Sequence, residues 1–354
     1  MPNSRLRSSV FAMSFLSSDD RVRRETKSLF AGKKPAELPF HIPVRTRVTA
    51  AAYRPQKYRR IRDAANAFNL PLQEAEAQGS SLAAFSELSA LCFLGLLPRA
   101  EAVLAEMREN MSAPERAQLF SEAVQTTQGF MGEVFFNLFS ELSRAHKMLI
   151  AAGGFYARED GRIRNRQYLF SENGEVLGQQ DKMILSPLER ELGVEACPRL
   201  SPVDTRIGRI ALLTASCAQH YEPFAVAAAC GCRIAVAGAS PFGDDISLLP
   251  HRAREQALVV LTPGIEKSDM FYLPETVPCA ASLPQNIMRT AGENAVGQSR
   301  HSLTVRADLS SPPEPDHYRV DHNPAFFRAL LREKPADADK VLGDLMKEKK
   351  ESGL

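Results

Sequence analysis

Residues 63–85 read DAANAFNLPLQEAEAQGSSLAAF. Over 63–78 the apolar residues recur at helical spacing, which predicts a helix. Gly79 stands where a helix C-terminus often needs a left-handed residue. The apolar run 82–85 then reads as a short buried strand. Upstream, residues 44–53 (VRTRVTAAAY) alternate charged and apolar like an opening strand. Strand, helix, strand is the start of a βαβ unit, so the fold class is α/β.

The rest of the chain continues that mixture. Residues 98–147 read as helical, with Ser112-Ala113-Pro114-Glu115 a capping box carrying proline in the first turn. Residues 148–152 form a buried strand. Strands at 166–171 and 175–179 flank Glu172-Asn173-Gly174, a hairpin signal. Strands are also expected at 209–216, 232–237 and 257–262, and helices at 223–230 and 252–256. Several short strands fall within 270–309, and helices at 324–333 and 336–351 close the chain. Helices alternate with strands, and hairpins are inserted. That order suits sheets inside and helices outside better than a simple doubly wound sheet.

Composition narrows the function. The chain has 354 residues, 44% of them hydrophobic and 24% charged. These are the proportions of a folded globular protein, not of a disordered chain, a collagen or a coiled coil. The longest uncharged apolar stretch, 88–97, is half the length of a membrane span. Net charge is +2, yet residues 1–62 hold 15 Lys/Arg against four Asp/Glu. Such an end reads as a solvated basic extension. It lacks the interleaved aromatics that stack bases, so nucleic acid is not an expected partner. Arg and Ser are frequent over the first 35 residues, as in a transit peptide, but Asp19 and Asp20 interrupt them. The expected division is a basic extension over 1–42, one catalytic domain over 43–333 and a helical tail over 334–354.

Six scattered cysteines (92, 197, 217, 230, 232 and 279) make no disulfide scaffold. Cys230 and Cys232 lack the two further ligands that zinc requires. Reduced thiols point to the cytoplasm, and no metal or organic cofactor is expected.

Three reactive residues follow three strands. Ser86-Glu87 follows 82–85, Asp181-Lys182 follows 175–180, and Cys217 follows 210–216. Sites in α/β folds gather outside the carboxyl ends of strands, so a carboxylate, an amine and a thiol are candidates for one pocket. A thiol is mostly protonated at neutral pH and needs a base or a nearby cation. A carboxylate can take that proton and return it to a leaving amine. An ammonium can stabilise an oxyanion. The set suits attack on an amide or nitrile carbon.

At these residues the sequence resembles the nitrilase superfamily, the carbon–nitrogen hydrolases. Residues 75–95, AEAQGSSLAAFSELSALCFLG, are similar to the family's small-residue helix, glycine, apolar strand and F-P-E-L segment. Residues 173–190, NGEVLGQQDKMILSPLER, resemble its glycine-bearing strand ending in lysine, with Glu-Arg seven and eight residues on. Residues 204–224, DTRIGRIALLTASCAQHYEPF, resemble its nucleophile segment. Residues 251–262, HRAREQALVVLT, are a weaker match.

The resemblance implies a four-layer α-β-β-α sandwich. It carries the nucleophile onto Cys217, the general base onto Glu87 and the oxyanion-stabilising lysine onto Lys182. Glu189 falls on the second glutamate, expected to position substrate or water and to hold Lys182. Ala218, with its backbone N–H, Gln219 and Tyr221 are expected on the substrate side.

There are departures from the family pattern. Ser86 replaces a proline, Ala218-Gln219 replaces an aromatic–acid pair, and Glu255-Gln256 replaces Glu-Asn. No tryptophan is present. The expected reaction is hydrolysis of a small amide through a cysteine thioester. Nitrile hydrolysis, transfer to an amine, and a catalytically silent interaction protein are the alternatives. The resemblance also implies subunit pairing through the helix after Cys217 and the C-terminal segment, hence at least a homodimer. The nearly all apolar or small residues 223–230 suit either that face or a core helix.

Overall fold

The computed structural model describes residues 45–51, 58–97, 112–241, 245–256, 258–264, 279–281, 295–298 and 302–308, together with Arg24 and Ser28. The expected helices at 324–333 and 336–351, most of the basic extension, the tail, and 98–111 of the expected long helix lie outside these residues. No helix among the described residues is long and apolar enough to cross a membrane.

The opening unit forms as read. Strand β1 (Arg45–Ala51) leads to helix α1 (Ile61–Ala77), then to β2 (Leu82–Ala84). Gly79 takes φ +66° past the helix end. β1 and β2 pair in parallel, and β2 pairs in parallel with β3 (Leu149–Glu159). Helix α2 (Ala113–His146) starts at the Ser112/Glu115 capping box.

β3 runs well beyond the predicted 148–152. It turns at Asp160 (φ 50°) and Gly161 (φ 79°) into β4 (Arg162–Phe170), which turns again at Gly174 into β5 (Val176–Asp181). Two consecutive positive φ angles are what a tight hairpin demands. Late strands β11 (Ala295–Gln298) and β12 (Ser302–Asp308) complete a sheet of order β11-β12-β1-β2-β3-β4-β5.

The second sheet has the order β10-β9-β8-β7-β6. It comprises β6 (Val203–Thr205), β7 (Gly208–Thr214), β8 (Ile234–Gly238), β9 (Val259–Thr262) and β10 (Cys279–Ala281). The short helices α3 (Pro187–Glu191), α4 (Glu222–Ala229) and α5 (Leu249–Gln256) intervene along the chain.

Three apolar clusters show how the sheets pack. Val48, Leu82, Leu149 and Leu169 of the first sheet meet Ile210, Leu212, Val236 and Leu261 of the second. The opposite face of the first sheet, through Phe85, Ile150 and Phe170, packs on α1 and α2 with Phe68, Phe135 and Phe139. The opposite face of the second, through Ala211, Leu213 and Ala235, packs on Phe224 of α4 and on Leu249 and Ala253 of α5. Strands buried on both faces read as unbroken apolar runs, which is why residues 210–213 (IALL) show no alternation. Sheets flanked by helices are thus observed. Phenylalanine supplies the aromatic core: the Phe68 ring lies 5.2 Å from Phe85 and 5.0 Å from Phe139.

Helix α4 places Pro223, Phe224, Ala225, Val226 and Ala227 inside its own chain. Its apolar character therefore comes from the core, the second of the two readings its sequence allowed.

Candidate active site

Three strand ends deliver the polar groups. Glu87 lies three residues past β2, and its backbone N–H bonds the Ala239 carbonyl just past β8 at 3.1 Å. Leu88, the next residue, is held at φ 54°. A non-glycine residue in the left-handed region costs about 1–3 kcal/mol, and such conformations cluster at functional sites.

Two glycines allow this approach. A Cβ on Gly238 would come within 2.8 Å of the Glu87 nitrogen, and one on Gly153 would collide with the Ser86 carbonyl oxygen. Gly153 sits at a register shift in the β3–β4 ladder. The Ser86–Glu87 loop therefore rests directly on backbone.

Lys182 follows β5, and its backbone N–H bonds the Asn165 carbonyl on β4 at 2.8 Å. Its Nζ lies 2.8 Å from Glu87 Oε1 and 2.9 Å from Glu189 Oε2, with all three side chains buried. Glu189 occupies the third residue of α3. Its Oε2 accepts the Ser186 N–H at 2.9 Å while Ser186 Oγ accepts the Glu189 N–H. This capping box fixes the carboxylate before any substrate arrives. The motif Ser186-Pro187-Leu188-Glu189 was the available sequence signal for α3.

Cys217 lies in a 3-10 turn, Ala215–Gln219, directly after β7. Its thiol is buried, 3.8 Å from Thr214 Oγ1. The preceding Ser216 donates to the Ile184 carbonyl at 2.8 Å, tying this turn to the segment that carries Lys182. On the other side, Arg252 Nε of α5 donates to the Ala218 carbonyl at 3.0 Å.

The other expected substrate-side residues are also placed. Ala218 is buried beside Cys217. Gln219 turns its amide toward Asp245, 3.0 Å from Oδ2. Tyr221 packs against the cluster around α4 and α5.

The electrostatics follow from burial and partners. Burial works to lower the proton affinity of Lys182, but Glu87 and Glu189 outweigh it and hold the ammonium well above the usual lysine range. Burial works to raise Glu189, and Lys182, Asn165 and the Ser186 N–H outweigh it, so its carboxyl is held down. Burial pushes the Cys217 thiol up. Thr214 and the Lys182 charge pull it down, and the Glu87 charge pushes it up. Of these influences burial prevails.

Two residues of this network carried no signal in the sequence reading. Asn165 Nδ2 lies 2.5 Å from Glu87 Oε1 and 2.8 Å from Glu189 Oε1. Tyr156, its partner across β3 and β4, directs its hydroxyl at Glu189 Oε1 at 3.5 Å. Asn165 lies in Arg162-Ile-Arg-Asn-Arg-Gln167, four residues of which precede the expected strand at 166–171, whereas β4 starts at Arg162. Among the described residues no group of three or more His, Cys, Asp or Glu is arranged to hold a metal ion.

Comparison with known proteins agrees with this architecture. The amidase of Nesterenkonia sp. superposes with a TM-score of 0.55 at 16% identity, covering 82% of this chain and 97% of that one. A double mutant of the Nesterenkonia sp. AN1 amidase in complex with acrylamide gives 0.54 at 16%, covering 86% and 99%. The C. elegans NitFhit protein gives 0.56 at 15% identity over 75% of this chain, which spans 61% of the NitFhit length. Comparison with curated proteins returned no match. Residues 49–257, more than half of the chain and inclusive of all four candidate residues, match the carbon-nitrogen hydrolase family. The chain belongs to the carbon-nitrogen hydrolases, an enzyme family of the nitrilase superfamily.

Proposed function

We propose that the protein hydrolyses a small amide through a thioester on Cys217. The observation that carries this reading is the Lys182 ammonium held between two buried carboxylates, 2.8 and 2.9 Å away, with the Cys217 turn bonded to the same segment. The three apolar clusters support reading the layers in α-β-β-α order.

An ammonium has three N–H donors. Glu87 and Glu189 take two, and the third serves the oxyanion. In the first half-reaction the Cys217 sulfur bonds to the carbonyl carbon and Glu87 takes the thiol proton. Lys182 and the Ala218 backbone N–H face the developing negative oxygen. The C–N bond then breaks, Glu87 returns the proton to the departing nitrogen, and ammonia or an amine leaves. In the second half-reaction water loses a proton to Glu87, oriented with the help of Glu189, and attacks the thioester. Carboxylic acid is released and the sulfur recovers its proton. A thiol raised by burial suits this order, because the proton is still on sulfur when Glu87 is needed.

Acrylamide, the molecule held by the Nesterenkonia variant, is a suitable first probe alongside simple aliphatic amides. Ammonia release is measured over a panel of amides, nitriles and N-carbamoyl compounds. Turnover of amides is expected. Turnover of nitriles alone would move the reading to the nitrilase reaction. No turnover, with no preferential labelling of Cys217 by a thiol reagent, would leave an interaction protein of the same fold. A homodimer belongs to this reading on the family resemblance alone, since α4 is buried within its own chain, and sedimentation at micromolar concentration tests it. The division at residues 42 and 333 and the cytoplasmic location are likewise proposed.

A further inference from the structure

We infer that Asn165 is a positioning residue for this reaction: its carboxamide bridges Glu87 and Glu189 and holds both carboxylates in place around Lys182. The inference rests on the hydrolase reading for its kinetic consequence, but its geometry stands apart from it. Asn165 is completely buried. One nitrogen, with two N–H bonds, reaches one oxygen of each glutamate at 2.5 and 2.8 Å. Its backbone carbonyl holds the Lys182 N–H. One residue thus touches the base candidate, the second acid and the lysine.

The other end of the side chain sharpens the case. Asn165 Oδ1 is buried and has no hydrogen-bond partner among the described residues. An amide kept only for the fold is expected to satisfy both ends, because an unpaired buried acceptor destabilises the protein. Here the amide is turned wholly toward the two carboxylates at the expense of its own oxygen. That arrangement serves the glutamates. Two like charges would otherwise repel across Lys182, and each N–H draws one of them into a fixed orientation.

The substitution Asn165→Leu keeps the approximate volume and removes both N–H bonds. Asn165→Asp keeps the shape and can donate only while its carboxyl is protonated. It also serves if the leucine variant does not fold. With an amide substrate, Asn165→Leu is expected to lower kcat by about tenfold or more, one lost charge-assisted hydrogen bond being worth roughly that factor, with KM within about threefold. Asn165→Asp is expected to lose kcat as pH rises through the new carboxyl's ionisation, where the native enzyme does not. Carboxyl-carbon NMR of labelled glutamate, assigned with Glu189→Gln, reads the same bridge without turnover. The Glu189 midpoint should move up in Asn165→Leu, because a lost donor disfavours the carboxylate.

A folded Asn165→Leu with native kcat, native pH profile and an unmoved Glu189 midpoint would overturn the inference. A native protein that turns over no amide, with the midpoint still shifted in Asn165→Leu, would remove the hydrolase reading and leave the bridge standing.

Discussion

Replacing Lys182 with methionine keeps the side chain as far as Cε and removes the charged nitrogen that two buried carboxylates share. At about 3 Å and an effective dielectric of about 20, each contact carries roughly 5 kcal/mol of attraction. Much of that is offset in the native protein by taking the ions out of water, at several kcal/mol each. The methionine variant keeps the desolvated carboxylates and loses what compensated them. A loss of about 3–5 kcal/mol at pH 7.5 is expected, the usual result of removing one partner of a buried pair.

The pH dependence gives the sharper signature. The lysine is held above its ordinary range, so its contribution is complete below that range and is lost only as pH rises through the raised value. Glu189 is held below its ordinary range, so its contribution is present above about pH 4–5 and is lost as pH falls through the lowered value. Between pH 7.5 and 5.5 both contributions in the native protein are therefore constant. In Lys182→Met, burial without a counter-charge favours protonation. The variant should then recover about 1–3 kcal/mol over those two pH units, the bound being about 1.4 kcal/mol per unit for each proton taken up. Urea denaturation of both proteins at the two pH values measures this. A deficit under about 1 kcal/mol at pH 7.5, or one that does not shrink on acidification, would refute a charged, buried Lys182 between two carboxylates.

Gly153→Ala forces a methyl group against the Ser86 carbonyl in a left-handed backbone position, so a loss of about 1–3 kcal/mol and of most activity is expected in melts and rate assays. Arg252→Ala frees the Ala218 carbonyl. It should lower kcat about tenfold, the equivalent of one hydrogen bond to a charged group, with a native circular dichroism spectrum. Cys217 is pushed up by burial, so its alkylation by iodoacetamide should climb with pH beyond the ordinary thiol value of about 8.5. A rate already level below pH 7 would mean a preformed thiolate instead.

Two legible parts of the site share one pattern, a short apolar strand followed by a reactive polar residue. Leu82–Ala84 before Glu87 and Gly208–Thr214 before Cys217 are such cases, whereas Val176–Asp181 (VLGQQD) before Lys182 is largely polar and was marked by the Asn173-Gly174 turn that opens it. Burial dictates the apolar run, and the strand end dictates where the polar group emerges. Asn165 and Tyr156 did not announce themselves, because they lie inside strands whose neighbours are charged or aromatic. Their role depends on the β3–β4 register, which Asp160-Gly161 sets. That dipeptide is a hairpin signal of the same kind as Asn173-Gly174, masked because the apolar run of β3 ends before the turn. The pairing of β1 with β12, Arg45 opposite Asp308, joins segments too distant for any local pattern to match. The apolar sequence of α4 shows the converse: composition reported burial correctly, but not whether the covering surface belonged to the same chain.

The proposed chemistry turns on the sulfur of Cys217. The protein is incubated with a small amide, quenched in acid within a turnover, digested and mapped by mass spectrometry. An acyl group is expected on the Cys217 peptide alone, with no adduct and no ammonia release in Cys217→Ala. Ammonia release by Cys217→Ala at the native rate, or an acyl group on another cysteine, would contradict the assignment.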